Sequence, residues 1–309
     1  MKNILIASVL IISALVLFFS CSDENLSDNG ITEGDSRLQV KSVAVYNSGS
    51  GSEGGTISEF VNGDTIGLYL PEYRRGYPFP YSARENYRWH LSEPVFLSSE
   101  PTRLFAYYPF RIKEHAYLWD KHVNVEHTTQ TDYMHGKAIF DYIASDQPYA
   151  YIRMIHVLAL IQFQFVKNGY PHDCSLMRVS ISNSGGVKHL PGSGKLDLES
   201  GNIVETAEYD RAATITPRNM NFFTPPASEK DFARVLVMPI DPVKNHGDIY
   251  FEFVIDGRVY TWPMEAGTHW QAGMKYTYRV EMVAMARSVK DSGSPAQINV
   301  VLTQTSNNE

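Results

Sequence analysis

Cysteine is nearly missing from this sequence, and that scarcity sets the first bound. The chain has 309 residues, and its only cysteines are Cys21 and Cys174. If Cys21 is consumed elsewhere, Cys174 has no partner, so the fold must rest on apolar cores rather than disulfides. Cys174 itself reads as a small buried side chain near a strand start. Basic runs are missing too: 27 Lys and Arg face 34 Asp and Glu, a formal net charge of -7. That bulk balance speaks against a polyanion partner, and no Lys/Arg block marks a nucleic-acid track. Catalytic signatures are equally scarce. No serine sits in GxSxG, no HExxH occurs, and Gly185-Gly186 and Pro191-Gly-Ser-Gly194 read as turns rather than phosphate cradles. His115, His122 and His127 form the densest histidine group, but their spacing fits no paired-ligand pattern. They read as surface or loop histidines, and His156, inside an apolar stretch, as a hydrogen-bonded, partly buried one. Carboxylates are frequent, yet no pair stands out as a glycosidase acid and base. The expectation is no enzyme, no metal and no cofactor. A capped helical period and an internal repeat are also lacking.

What is present begins with the leader. Lys2 gives a short positive start, and residues 4–20 hold only apolar residues and serine. A basic start with a short apolar run is an export signal, at the lower limit of the roughly 17–25 residues that span a bilayer. Cys21 at its end resembles the lipobox of bacterial lipoproteins, which implies acylation of Cys21 and removal of residues 1–20. Residues 21–37 read as a flexible acidic tether. Asp23, Glu24, Asp28, Glu33 and Asp35 stand there with no base before Arg37, and so polar a stretch buries too little to offset its ordering entropy.

Beyond the tether the chain reads as strands and turns. LQVKSVAVY opens the pattern, and a Gly/Ser-rich loop follows. TISEFV and DTIGLYL flank Asn62-Gly63, a hairpin signal, because Asn-Gly tolerates the positive φ of a type I′ turn. NYRWHL, RLFAYYPF and YLWDKHVNVE come next. YIRMIHVLALIQFQFV is the most apolar stretch after the leader. Its first half is compatible with a helix, while ALIQFQFV alternates with period two, as a one-sided strand does. LMRVSIS, KLDLESG, ATITP, FARVLVMPI, FEFVIDGRVYTW with its central Asp256-Gly257, KYTYRVEMVA and AQINVVLTQ complete the series. This cadence points to two antiparallel sandwich-like domains, residues 38–168 and 169–309. Trp89, Trp119, Trp262 and Trp270 are read as core or edge packing, with a glycan-stacking surface as the alternative.

Several segments, taken in order, resemble the fimbrillin-like proteins of Bacteroidetes, the type V pilus subunits and their relatives. They are NYRWHLSEPVFLSSEPTRLFAYYPF (86–110), DYMHGKA (132–138), RMIHVLALIQFQF (153–165), RVLVMPI (234–240) and HWQAGMKYTYRVEM (269–282). The last carries Trp270, Gly273, Tyr276 and Tyr278. The resemblance implies an all-β fold of two tandem transthyretin-like β-sandwich domains after a lipoprotein signal peptide. It implies a place at the outer membrane, cell surface or fimbrium, with the membrane as partner through the lipid on Cys21. It also implies assembly with other fimbrial subunits by strand exchange after an arginine-specific protease has cut the chain. Arg37, between tether and first strand, is the candidate cleavage residue, with Arg74, Arg75 and Arg84 further along. The candidate donor strand is 296–303, with Ile298, Val300 and Leu302 as its apolar anchors. The alternative function is a lipoprotein that binds glycan or host protein without polymerising.

Overall fold

Aromatic and β-branched residues in alternation pack well on pleated surfaces, and here they give strands throughout. The computed structural model describes residues 36–46, 56–72, 81–111, 121–168, 174–217, 220–221, 232–284 and 296–307. In the first half the strands are β1 (Gln39–Val45), β2 (Thr65–Tyr69), β3 (Tyr81–Glu85), β4 (Arg88–Leu91), β5 (Phe105–Tyr108), β6 (His122–Glu126), β7 (Met134–Ala138) and β8 (Tyr149–His156). Then follow β9 (Ala159–Asn168), β10 (Ser175–Asn183), β11 (Ser193–Asp197), β12 (Ile203–Ala207), β13 (Ala213–Ile215) and β14 (Met220–Asn221). The last are β15 (Ala233–Val237), β16 (Ile249–Ile255), β17 (Arg258–Pro263), β18 (Met274–Ala284) and β19 (Ala296–Asn307). Among the described residues there is no helix, and the fold class is all-β. Residues 36–309 cluster as one unit.

The first apolar core belongs to a seven-stranded sheet in the order β1-β8-β7-β5-β2-β3-β4. β1 runs parallel to β8, and the other pairs are antiparallel. The two ends of this sheet are tied together: Leu38 N donates to Val95 O at 2.8 Å, and Leu97 N to Ser36 O at 2.9 Å. The sheet thereby curls around Val40, Ile66, Leu68, Ala106, Ile152 and Met154. Full burial of such a side chain is worth about 1.5–3 kcal/mol before ordering costs. Gly67 is required on β2, because a Cβ there would overlap the Tyr107 ring.

The second core fills the space between two stacked sheets, β13-β10-β16-β17 and β15-β9-β18-β19, with β14 beside β10. Phe163 of β9 meets Phe251 and Phe253 of β16 nearly edge-on, at 5.0 and 5.1 Å between centroids. Ring quadrupoles favour that arrangement. A fourth sheet, β12-β11-β6, joins a strand from the first half of the chain to two from the second. β5 binds the cores into one body. Its Ala106 faces the first core, while Phe105 and Tyr107 enter the second.

Local expectations meet mixed outcomes. Asp256 and Gly257 take φ of 50° and 76° in the β16–β17 hairpin, the positive-φ pair a type I′ turn needs. Asn62-Gly63 does turn, with φ of 98° at Gly63, but TISEFV is not a strand. Phe60 sinks into the first core and Ile57 N is taken by Asp132, so the segment has no ladder partner. NYRWHL does not begin as a strand either. Asn86 and Tyr87 sit at φ of 48° and 62° and form the β3–β4 turn. The long apolar stretch holds no helix: it is two strands in two different sheets, β8 and β9, broken at Val157-Leu158. Cys174 is buried at 1 % exposure, immediately before β10.

Candidate functional site

Strand edges come first, because they carry the expected residues. Cys21 lies outside the described residues. Arg37 is exposed, pairs as an isolated bridge with Phe96, and directly precedes buried Leu38. Leu38 and then β1, through Val40, Val43 and Val45, cover the first core. No Lys or Arg occurs between Lys41 and Arg74, so no arginine-specific cut falls in the connection from β1 to β2. Arg74 and Arg75 lie outside the described residues. Arg84 is on β3, where its guanidinium donates to Phe60 O.

At the other end, β19 lies antiparallel along β18 and is the last strand of its sheet. Ile298 and Val300 are buried in the second core. Leu302 is 45 % exposed. The register slips beside it, where Tyr278 pairs with Leu302 but Thr277 with Gln304, and the extra residue of a bulge ends the alternation. The three anchors therefore do not share one buried face. The opposite end of the sheet is closed differently. Leu236 N donates to Gln130 Oε1 at 2.8 Å, and Gln130 Nε2 donates to Leu236 O at 2.9 Å. A side-chain amide thus stands in for a neighbouring strand on β15.

The family-like segments meet inside the molecule. Asp132, heading DYMHGKA, accepts from His156 Nδ1 at 2.8 Å and from Ile57 N at 2.6 Å, with both side chains buried. Trp270 Nε1 donates to Tyr278 Oη at 3.2 Å, Gln271 N donates to Tyr276 Oη at 2.9 Å, and Gly273 turns the chain at φ of 69°. The Trp-x-x-Gly-x-x-Tyr-x-Tyr spacing is thus a lock at the start of β18. Burial pushes the Tyr278 phenol up to about 12, which keeps it a neutral partner.

His127 is not the surface histidine its sequence neighbourhood suggests. It is fully buried. Its Nε2 lies 3.2 Å from Arg211 O, and its Nδ1 lies 3.4 Å from Met238 N. Burial lowers its pKa to about 4, so the neutral ring, Nε2–H donating and Nδ1 accepting, is the form that satisfies both. His122 faces Asp197 at 3.4 Å, and His115 lies outside the described residues. No group of His, Cys, Asp and Glu among the described residues is arranged to hold a metal ion.

A polar cleft of about 760 Å³ opens beside β6, β11 and β12. Its carboxylates face cations: Lys195–Glu205 at 2.5 Å, Arg211–Glu208 at 3.0 Å and Arg211–Glu126 at 3.6 Å. Glu205 and Glu208 hold positive φ of 49° and 56°, unusual for residues with side chains. The tryptophans form no exposed row among the described residues. Trp270 is fully buried, Trp89 packs edge-on against Phe60, and Trp262 packs against the second core. Trp119 lies outside the described residues.

These features define an all-β protein whose described surface is built of strand edges, sheet faces and paired charges. The chain belongs to the fimbrillin-like family, whose model matches residues 52–300, and it is a structural protein, not an enzyme. Solved structures share its fold. A candidate cell adhesion protein from Bacteroides uniformis is 16 % identical with a TM-score of 0.57, over 87 % of this chain and 99 % of that one. One from Bacteroides ovatus is 13 % identical with a TM-score of 0.56, over 88 % and 96 %. One from Bacteroides fragilis is 13 % identical with a TM-score of 0.51, over 87 % and 98 %. No curated protein sequence matches the chain.

Proposed function

We propose that this chain is a structural or accessory subunit of surface fimbriae, moored at the outer membrane by lipid on Cys21. The family match over residues 52–300 carries this reading. In it, strand exchange with other subunits is β-augmentation, in which backbone hydrogen bonds give strength and alternating side chains give register. β19 is the exchangeable strand: it is the last in its sheet, and Ile298 and Val300 are its anchors. Head-to-tail joining of this kind does not close and so builds fibres.

The position of the basic residues refines the role. A cut at Arg37 sheds residues 1–37 and leaves β1 over the first core. Cutting at Arg74 or Arg75 would also remove β2, with Ile66 and Leu68, and break the sheet in its middle. The chain in this reading keeps its first groove filled and acts as a fibre end or an accessory, offering β19 without accepting a strand at β1. The test is digestion of the purified chain with an arginine-specific protease, in the presence of a strand-accepting stalk subunit. One early cut after Arg37 is expected, with an SDS-resistant heterodimer that a chain truncated before Ala296 does not form. Ladders of this chain alone would overturn the fibre-end role, and the absence of any SDS-resistant product would overturn assembly.

The second reading, a surface lipoprotein that binds glycan or host protein without polymerising, is favoured by an exposed sheet face that carries rings and cations together.

A further inference from the structure

The outward face of β1, β8 and β7 has an unusual population. β8 alternates strictly: Ala150, Ile152, Met154 and His156 point inward, while Tyr151, Arg153 and Ile155 are exposed. Parallel pairing puts Ala44 beside Arg153, and Lys41 and Tyr46 are exposed on the same strand and its end. On the other side Lys137 pairs with Arg153, and Ile139 N bonds Tyr151 O at 2.7 Å. Arg153 lies 4.7 Å over the Tyr46 ring and Lys41 Nζ 4.8 Å over the Tyr149 ring. Phe140 stands edge-on to Tyr151 at 6.1 Å.

Among the described residues no carboxylate pairs with Lys41, Lys137 or Arg153. Asp141 and Asp146, the acids between Lys137 and Arg153 in sequence, lie in the connection between β7 and β8 rather than on the strands. A basic patch with no carboxylate partner among the described residues, interleaved with exposed rings on a chain of net charge -7, has the chemistry of a surface that recognises anions.

We propose that this face binds an acidic polysaccharide, a polymer of sugars bearing carboxylate or sulfate groups. Pyranose C–H faces lie flat on Tyr46, Tyr149 and Tyr151, and the acid groups meet Lys41, Lys137 and Arg153 in charge-assisted hydrogen bonds. The cation–ring contacts hold the cations over the sheet before the ligand arrives. An acidic peptide is the poorer fit, because peptides dock at free strand edges or in grooves, and this surface is a flat sheet face. The inference stands apart from the assembly reading, since it uses neither Arg37 nor β19.

The test is binding of the purified chain to chondroitin sulfate, with dextran as the neutral control and polyglutamate as the acidic peptide. The expected result is salt-sensitive binding, at least about tenfold tighter than to polyglutamate, with none to dextran. Lys137→Gln with Arg153→Gln should weaken it by about tenfold or more, and Tyr46→Ser with Tyr151→Ser by about threefold or more. All these positions are exposed, so an unchanged thermal midpoint certifies that each variant is folded. Absence of binding, equal affinity for polyglutamate, or affinity unchanged in both variants overturns the proposal.

Discussion

The interaction between Asp132 and His156 is the sharpest case of a single residue fixing distant chain. The carboxylate accepts one hydrogen bond from the imidazole and one from the Ile57 backbone, so it joins the turn before β7, the end of β8 and the segment ahead of β2. Its side chain is 4 % exposed and that of His156 is 3 %, so neither group can fall back on water. Truncation leaves the other partners stranded, and breaking a buried pair in this way costs about 3–5 kcal/mol. Asp132→Ala is expected to lower the unfolding free energy measured in urea by an amount in that range. Asp132→Asn keeps an acceptor for Ile57 N and should cost less than half as much. Equal losses in the two variants would show that charge, not hydrogen-bond geometry, holds the site.

Among the strands, legibility followed locality. Asp256-Gly257 was readable because a two-residue turn is set by its own residues. β16, β17 and β18 were readable because alternation within one strand survives wherever one face is buried. The Asn86-Tyr87 turn was not, since tyrosine at positive φ is tolerated only in context. TISEFV failed for a related reason: Asp132 and the first core claim Ile57 and Phe60, and nothing within the segment signals a residue so far along the chain. The outward turn of Leu302 was hidden by a bulge, and a bulge is a property of two strands together. The roles of His127 and Gln130 were equally hidden, because the β15 edge they serve is more than a hundred residues away.

That β15 edge supplies a prediction. Gln130 sits at φ of 52°, which orients its amide so that donor and acceptor both meet Leu236. Unpaired edges invite foreign strands, and this sheet has its edge plugged at β15 while β19 forms its other limit. Gln130→Ala leaves the buried Leu236 N–H and C=O without this partner, for a loss of about 1–3 kcal/mol. Gln130→Glu should be no better, because it sets a carboxylate oxygen against Leu236 O. Light scattering on gentle warming should show both variants aggregating below the wild-type onset temperature. An unchanged onset would mean that the plug does not protect the edge.

At the scale of the whole molecule, acid should dismantle the fold in two steps carried by different groups. Burial lowers His127 from 6.5 to about 4, and burial lowers His135 as well. An imidazole held neutral in the folded state contributes stability that is complete above 6.5 and is lost as pH falls toward 4, because the unfolded chain takes up the proton first. For His127 the loss amounts to about 3 kcal/mol, and protonation would also turn Nδ1–H against Met238 N–H. Asp197 acts lower. Burial opposes its charge, but Lys121, with the backbone N–H of Ser200 and Glu199, outweighs burial and lowers it from 3.8 to about 2. Its contribution is complete above 3.8 and fades as pH drops through about 2. Asp197 sits beside Glu199, which accepts from Tyr69 of β2 at 3.1 Å, so this second step loosens the seam between the two cores. Urea midpoints measured from about pH 7 down to about pH 2 should therefore fall in two stages. His127→Gln should be less stable at neutral pH yet show a flatter slope between 6.5 and 4, with the lower stage intact. A slope as steep as that of the wild type would place the upper stage on other groups and remove His127 from the acid response.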